Sequence, residues 1–349
     1  MVNEIPYFWR NDLDRIKEIV GSIKKGKSSV LTKSGGGRDI YLVEYGEKQD
    51  MGRRANYSSA CSYKDISVYA NKTDKIKPVI LIAGATHGGE IEGISAILNL
   101  LEALETGMDY RKKEFKYIYD LLENYRILII PCLNPDGRSR VPFSVVSEVS
   151  PYEVVYYKHG LWKDGTLADY TQGFRVHPII NDVQYMGGYY NDEGINLSAD
   201  RFTYPMAVEN RSIMELVDRE APDAIIMLHT GCHVHGKIMQ PRYLPGFVLE
   251  KILQFDRKLS TRFTENGFGY YTLEEHGISS VDGMQHPPMN FDMCSAIHHT
   301  CGGLCFVYES YEAAMDRNDA YSCENILDCH FLMFEEVFKF AGTLRGLKK

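Results

Sequence analysis

Four short runs, apolar throughout except for Arg126 at the start of the second, constrain the fold of this chain more than any other feature. The runs are Val79–Ala83, Arg126–Ile130, Ala224–Leu228 and Leu304–Tyr308. They show no alternation of apolar and polar residues, which is typical of central strands that are buried on both faces of a sheet. Such strands need covering layers on both sides, so the runs predict a layered α/β protein rather than a sandwich with one wet face.

Segments with apolar residues at helical spacing separate the four runs. They lie at Ile91–Leu104, Ile213–Val217, Val248–Phe263 and Ile326–Phe340. The alternation of strands and helices predicts an α/β fold, with a mixed, largely parallel central sheet and helices on both faces. The motifs IYLVEYG and ISVYA, between residues 31 and 70, predict edge strands.

The length of 349 residues fits one large domain with decorations. We therefore expect residues 1–349 to form a single catalytic domain. Residues 134–200 are rich in Tyr, Gly, Asp and Pro and show little periodicity, which predicts a long irregular loop region. Long irregular segments inside compact domains usually carry function.

Composition and charge argue against some classes of binding partner. The net charge is −8, from 39 Lys and Arg against 47 Asp and Glu, which argues against a nucleic-acid-binding surface. Apolar runs are far shorter than the roughly 18 to 20 residues of a membrane-spanning helix. The N-terminal segment MVNEIPYFWRNDLDR lacks the pattern of an export signal. The eight cysteines form no CxxC pair and are expected to be buried thiols, so we expect a cytoplasmic protein.

Polar residues of the types that bind ligands or take part in catalysis follow each apolar run. The first run leads into His87-Gly88-Gly89-Glu90, and the second into Asn134-Pro135-Asp136-Gly137. His229 follows the third run and Glu309 the fourth. In open α/β sheets ligands bind at the carboxyl ends of the strands, so these motifs are expected to meet at one edge of the sheet.

His87, Glu90 and His229 provide two imidazoles and one carboxylate, the ligand set of a catalytic zinc site with an open fourth position. His87 and Glu90 are three residues apart, so one turn can direct both side chains to one ion. Hydrolysis at such a site needs a further carboxylate that takes up and returns a proton. Glu309 is the candidate for that base.

These motifs, in this order on four apolar strands, resemble the zinc carboxypeptidase family, typified by carboxypeptidase A. The resemblance covers roughly residues 78–310. It implies a carboxypeptidase A-like fold, one zinc ion per chain held by His87, Glu90 and His229, and Glu309 as the base that activates water.

The sequence also departs from that family. Members carry the motif GVDxNRN, whose Asp orients the first zinc histidine and whose Asn-Arg pair binds the substrate's terminal carboxylate. The corresponding stretch here is residues 194–201, Gly-Ile-Asn-Leu-Ser-Ala-Asp-Arg. Asn196 can accept a hydrogen bond from His87 in place of the Asp. The usual carboxylate-binding pair is missing, and the candidate cations for the substrate are Arg138, Arg140, Lys163 and Arg201.

The resulting prediction is a zinc-dependent hydrolase that cleaves an amide bond near a free carboxylate, most simply a metallocarboxypeptidase. Its expected partners are peptides or acyl amino acids with a free carboxylate, and neither nucleic acid nor membrane. An N-acyl amino acid deacylase or a cell-wall peptide amidase of the same fold is an alternative, favoured by the missing Asn-Arg pair. A catalytically silent module that binds peptide termini is a third possibility, and the presence of Glu309 argues against it.

Overall fold

The computed structural model describes residues 5–52, 55–70, 72–73, 75–168, 176–203, 205–232, 236–280, 291–312 and 321–343. The helices are α1 Leu13–Ser22, α2 Tyr57–Ser62, α3 Glu92–Thr106, α4 Lys116–Leu121, α5 Pro135–Ser139, α6 Pro151–His159, α7 Val208–Glu220, α8 Gly246–Glu265, α9 Met293–Cys301 and α10 Cys323–Thr343. The strands are β1 Lys27–Lys33, β2 Asp39–Tyr45, β3 Val79–Gly84, β4 Arg126–Ile130, β5 Gly160–Trp162, β6 Val183–Met186, β7 Ala224–Cys232, β8 Lys237–Met239 and β9 Leu304–Tyr311.

The central sheet is mixed and largely parallel, as predicted. Within the described residues it has seven strands, in the order β1-β2-β4-β3-β7-β9-β8. The adjacent central strands β4, β3, β7 and β9 are parallel, and each contains one of the four apolar runs. The outer strands β1, β2 and β8 pair in antiparallel fashion. The predicted fold class is therefore confirmed.

Alternate side chains of each central strand pack into different layers. On β3, Ile80 and Ile82 belong to the core on the side of α3, α8 and α10. Leu81 and Ala83 belong to the core on the opposite face, with side chains of α7 and α9. Burial of both faces explains why the strand sequences are apolar without alternation.

Three local expectations differ from the structure. The ISVYA motif forms a 3-10 turn at Ile66–Val68 instead of a strand, because the Asp65 carboxylate accepts hydrogen bonds from the backbone and hydroxyl of Ser67. Strand β1 was not anticipated, since its sequence KSSVLTK carries few apolar residues. It takes the edge of the sheet, so the IYLVEYG motif forms the second strand, β2, and not the expected edge strand. Cys61 is exposed, unlike the other cysteines whose burial the structure describes.

The segment 134–200 contains short regular elements within its irregular path. Helix α6 starts at a capping box, in which Ser150 and Glu153 satisfy each other's backbone amides. Strands β5 and β6 then form a separate antiparallel pair. Among the described residues, no helix combines the length and the apolar character required to cross a membrane.

Candidate metal centre

The carboxyl ends of the parallel strands bring the polar motifs together. His87 follows β3, while His229 lies within the last part of β7. Glu309 lies on β9, directly beside His229 in the strand register. Because β3, β7 and β9 are consecutive neighbours, residues from distant parts of the sequence share one edge of the sheet.

His87, Glu90 and His229 form a buried cluster that can hold a metal ion. One ligand atom from each residue lies within 4.8 Å of the other two. Nδ1 of His87 is 2.7 Å from Oε1 of Glu90, and Nδ1 of His229 is 2.9 Å from Oε2 of the same carboxylate. Each of the three residues is at most 5% exposed. Buried polar groups need partners, and two imidazoles directed at one carboxylate are chemically suited to share a divalent cation.

Asn196 fixes the protonation pattern of His87. The Oδ1 atom of Asn196 accepts a hydrogen bond from the Ser198 backbone amide, which identifies it as the acceptor atom of the side chain. It also lies 3.0 Å from Nε2 of His87, so this ring nitrogen donates. A neutral His87 then has its lone pair on Nδ1, the nitrogen that faces Glu90. Such an outer hydrogen bond is the usual way in which a metal-binding histidine is oriented.

The carboxylate of Glu90 also fits a metal ligand. Its Oε2 atom is buried and accepts no aligned hydrogen bond from the described residues, although His229 is close. A buried carboxylate oxygen without such a bond is costly unless a cation satisfies it. The donor set, the fixed tautomer of His87 and this oxygen together fit zinc.

Burial and charge shift the pKa values of the cluster in opposite directions. Burial alone would raise the pKa of Glu90, but the two facing imidazoles hold it well below its usual range. Burial would lower the pKa of His229, but the Glu90 carboxylate outweighs it and raises the value to about 9. Burial raises the pKa of Glu309 to about 7, with the Glu90 charge adding to the shift and the His229 ring opposing it. Glu309 therefore has a higher proton affinity than Glu90. This difference suits Glu309 to accept a proton and Glu90 to bind a metal as a carboxylate.

The two glycines of the HGGE motif permit close packing. A Cβ atom on Gly88 would lie 2.0 Å from the backbone nitrogen of Arg138. The Gly88 amide donates to the carbonyl of Gly188 at 2.7 Å, which ties the motif to the loop before Asn196. A Cβ atom on Gly89 would lie 2.9 Å from Cγ of Lys158. Side chains at these positions would push apart the segments that surround the cluster.

The NPDG motif holds together loops that surround the site. The side chain of Asn134 caps the short helix α5 by accepting from the Gly137 amide. Asp136 is fully buried and accepts hydrogen bonds from Ser34, Arg38, and the Gly36 and Asp192 amides. It joins the β1–β2 turn to the loop that leads to Asn196. The role of Asp136 in this structure is thus to hold loops together.

None of the four cations expected to bind substrate, all of which the structure describes, makes a hydrogen bond or an ion pair with the cluster. Arg138 is 4% exposed, and its guanidinium donates to carbonyls of Asn11, Val141 and Phe143. Arg140 pairs with Asp192. Lys163 is exposed and donates to the carbonyl of Asn181, and Arg201 is exposed as well.

Sequence reasoning missed other residues that do border the cluster. The ring of Tyr189 stacks on that of His87, with centroids 3.7 Å apart. Lys158, at the end of α6, is 4% exposed and acts electrostatically on both Glu90 and Glu309. Lys237 on β8 lies opposite Glu309 in the antiparallel register. Helical periodicity carries no signal for these residues, because each depends on tertiary placement.

The sequence profile of the zinc carboxypeptidases matches residues 24–145. Over this segment the chain is similar to the zinc carboxypeptidases. The profile match includes the HGGE and NPDG motifs and ends before His229 and Glu309. No curated protein sequence matches the chain.

Solved carboxypeptidase structures have the same fold at low sequence identity. A putative carboxypeptidase from Burkholderia mallei is 14% identical, with a TM-score of 0.59 over 94% of this chain and 67% of its own. A metallo-carboxypeptidase from Pseudomonas aeruginosa is 16% identical, with a TM-score of 0.57 over 95% and 68%. Carboxypeptidase A from Helicoverpa armigera is 12% identical, with a TM-score of 0.56 over 98% and 76%. These similarities confirm the carboxypeptidase A-like fold.

Proposed function

We propose that the chain is a zinc-dependent hydrolase that cleaves an amide bond near a free carboxylate, most simply a metallocarboxypeptidase. The observation that carries the proposal is the convergence of His87, Glu90 and His229, with the separate carboxylate of Glu309 on the next strand. Two imidazoles and a carboxylate are the protein ligands of several catalytic zinc sites, which keep a further position open. A silent binding module has no use for a second carboxylate with a raised pKa at this place.

A zinc ion held by these three residues supplies Lewis acidity, which polarises a carbonyl group and makes water nucleophilic near neutral pH. Glu309 takes the proton of the attacking water and returns it to the departing amine. The strand register holds Glu309 beside His229, so a rigid strand and not a loop carries the carboxylate that we propose as the base. Asn196 keeps His87 in the tautomer that the ligand role requires.

A free carboxylate on the substrate is supported by the chemistry of a similar protein. The Pseudomonas metallo-carboxypeptidase was solved in complex with (2-guanidinoethylmercapto)succinic acid, a compound with two carboxyl groups. By analogy, we infer that this chain accepts substrates with a carboxylate close to the cleaved amide.

An N-acyl amino acid deacylase is a second candidate. The observation in its favour is the missing Asn-Arg pair after Asn196, where Ser198 and Ala199 stand instead. An altered carboxylate site fits a substrate in which the acyl group, and not a peptide chain, precedes the cleaved bond.

The decisive experiment measures hydrolysis by the zinc-loaded chain with two substrate sets. One set contains short peptides with a free C-terminus, and the other contains N-acyl amino acids. Release of C-terminal amino acids that is abolished by a chelator and restored by zinc would support the carboxypeptidase. Hydrolysis of the acyl amino acids alone would favour the deacylase, and no hydrolysis of either set would refute the proposal.

A further inference from the structure

Lys158 is a buried cation beside the candidate metal centre. It lies in the last turn of α6, and its side chain is 5% exposed. Its stem passes against Gly89 of the HGGE motif, where any side chain in place of the glycine would collide with it. Its backbone carbonyl accepts the amide of Tyr189, the residue whose ring stacks on His87. Both its backbone and its stem are therefore fixed against the parts that surround His87 and Glu90.

The ammonium group of Lys158 already binds a carboxylate. Nζ donates to Oε1 of Glu312 at 2.5 Å, and the Glu312 side chain is 20% exposed. Glu312 comes three residues after Glu309, directly beyond the end of β9. Nζ can donate three hydrogen bonds, and within the described part of the chain Glu312 accepts the one that it makes. The pair shows that this position accommodates an ammonium and a carboxylate together.

Burial of an ammonium is expensive unless a counter-charge compensates it. Burial alone would lower the pKa of Lys158, but Glu312 and Glu92 outweigh it and raise the value. Lys158 therefore remains charged, with donors that no other described residue accepts, within electrostatic range of Glu309. The cations expected from the sequence are bound elsewhere or exposed, as described above.

We propose that Lys158 receives the free carboxylate of the substrate, and that Glu312 occupies this position until the substrate replaces it. The inference rests on the proposed function, since it names the group by which that site selects anionic substrates. Glu312 then acts as an internal competitor, and the chain binds a carboxylate only by displacing another. Selectivity for acids over uncharged amides follows from Lys158, and its strength is limited by Glu312.

Equilibrium binding tests the inference without relying on turnover. The purified zinc-loaded chain is titrated by calorimetry with a panel of N-acetyl amino acids and with their uncharged amides. The wild type is expected to prefer the acids. Lys158→Met should weaken acid binding roughly 10- to 100-fold, the value of a lost charge-assisted hydrogen bond, and leave amide binding unchanged. Glu312→Gln should strengthen acid binding several-fold.

Two further lysines serve as comparisons. Lys237→Met removes the other cation near Glu309, and Lys116→Met removes an exposed lysine of α4. Both should keep the wild-type preference for acids. Because Lys158→Met removes the ion pair between Lys158 and Glu312, the double variant Lys158→Met/Glu312→Gln is compared with Glu312→Gln alone. The double variant removes both charges, and it should also lose the preference.

Unchanged acid preference in a folded Lys158 variant, or its loss in Lys237→Met instead, would overturn the assignment. Weaker or unchanged acid binding in Glu312→Gln would overturn the proposal that Glu312 competes with the substrate carboxylate. If the wild type binds the acids no more tightly than their amides, the whole inference is overturned. The proposed function fails separately: a chain that binds acids through Lys158 and hydrolyses no amide refutes the hydrolase and not the carboxylate site.

Discussion

His229 and Glu309 lie side by side on the parallel strands β7 and β9, at the edge of the sheet where His87 enters. Two residues further along β7, Gly231 leaves space beside the carboxylate, since a Cβ atom there would lie 3.5 Å from Oε2 of Glu309. The pairing of β7 with β9 thus places the His229 imidazole and the Glu309 carboxylate next to each other without requiring a bond between them. This arrangement separates a ligand role for His229 from a base role for Glu309.

The ligand assignment predicts how zinc content changes. We expect close to one zinc per wild-type chain, and His229→Ala should lose most of it, because two remaining ligands form a poor site. Metal analysis of the purified proteins measures this. Glu309→Gln is the matched control and should retain the metal. Zinc-free wild-type protein with no activity on zinc addition would contradict the assignment.

The base assignment predicts a selective loss of turnover. Glu309→Gln preserves the size of the side chain and removes the proton acceptor, so kcat should fall by about two orders of magnitude. Zinc content and thermal stability should stay near the wild-type values. Steady-state kinetics on the best substrate checks the first point, and metal analysis with thermal unfolding checks the others. Full turnover by this variant would require another base.

Asn196 should tune the metal affinity without touching the metal. Asn196→Ala removes the acceptor for Nε2 of His87, and loss of such a partner typically weakens metal binding by roughly 10- to 100-fold. Asn196→Asp keeps an acceptor oxygen and should stay close to the wild type. Zinc titration against a competing chelator dye gives both affinities. Equal affinity in Asn196→Ala and wild type would show that His87 does not depend on this hydrogen bond.

Gly88 should tolerate no side chain. A Cβ atom would lie 2.0 Å from backbone nitrogen of Arg138, and backbone cannot move aside as a flexible side chain can. We expect Gly88→Ala to lower the free energy of unfolding by about 3 kcal/mol and to reduce zinc content. Gly21→Ala in α1 is the control, since nothing lies within 4 Å and alanine favours helix by up to about 1 kcal/mol. Similar stabilities for the two variants in urea unfolding would refute the packing argument.

The sequence predicted the central part of the fold because continuous apolar runs have one main use in an α/β protein. The helices around β3, β7 and β9 followed from periodicity over long segments, as with α8 and α10. Short elements were not predicted. Helix α9 spans only Met293–Cys301, although Asp292 caps it by accepting from the Ser295 amide. The Ser150 and Glu153 capping box of α6 was a local signal that periodicity alone did not use.

The polar residues at the strand ends were predictable because sheet topology alone brings them to one edge. The substrate-binding cations were harder, because several arginines and lysines follow the NPDG turn and spacing cannot tell which one turns inward. Arg138 is used to bind backbone carbonyls, and Lys163 lies at the surface. Lys158 lies in a segment without periodicity, and its position follows from tertiary contacts with Gly89, Tyr189 and Glu312.

Buried neutral histidines outside the site predict a specific pH dependence of stability. His330 on α10 donates from Nδ1 to the carbonyl of Ile326 at 2.8 Å, and its Nε2 is buried without a hydrogen-bond partner among the described residues. Burial lowers its pKa to about 4. Protonation would place a charge and an unsatisfied N–H in the core, so the native state resists it.

The sign follows from linkage. The unfolded histidine binds a proton near pH 6.5 and the native one only near pH 4, so the stabilisation is complete above pH 6.5 and is lost as the pH falls. His330→Gln keeps a donor for Ile326 and does not titrate. Between pH 7.5 and pH 5 the wild type should lose about 2 kcal/mol more unfolding free energy than the variant. Urea unfolding at both pH values measures the difference, in which the titration of the metal cluster cancels because both proteins share it. Parallel pH profiles for the two proteins would mean that His330 takes up its proton in the native core as readily as in the unfolded chain.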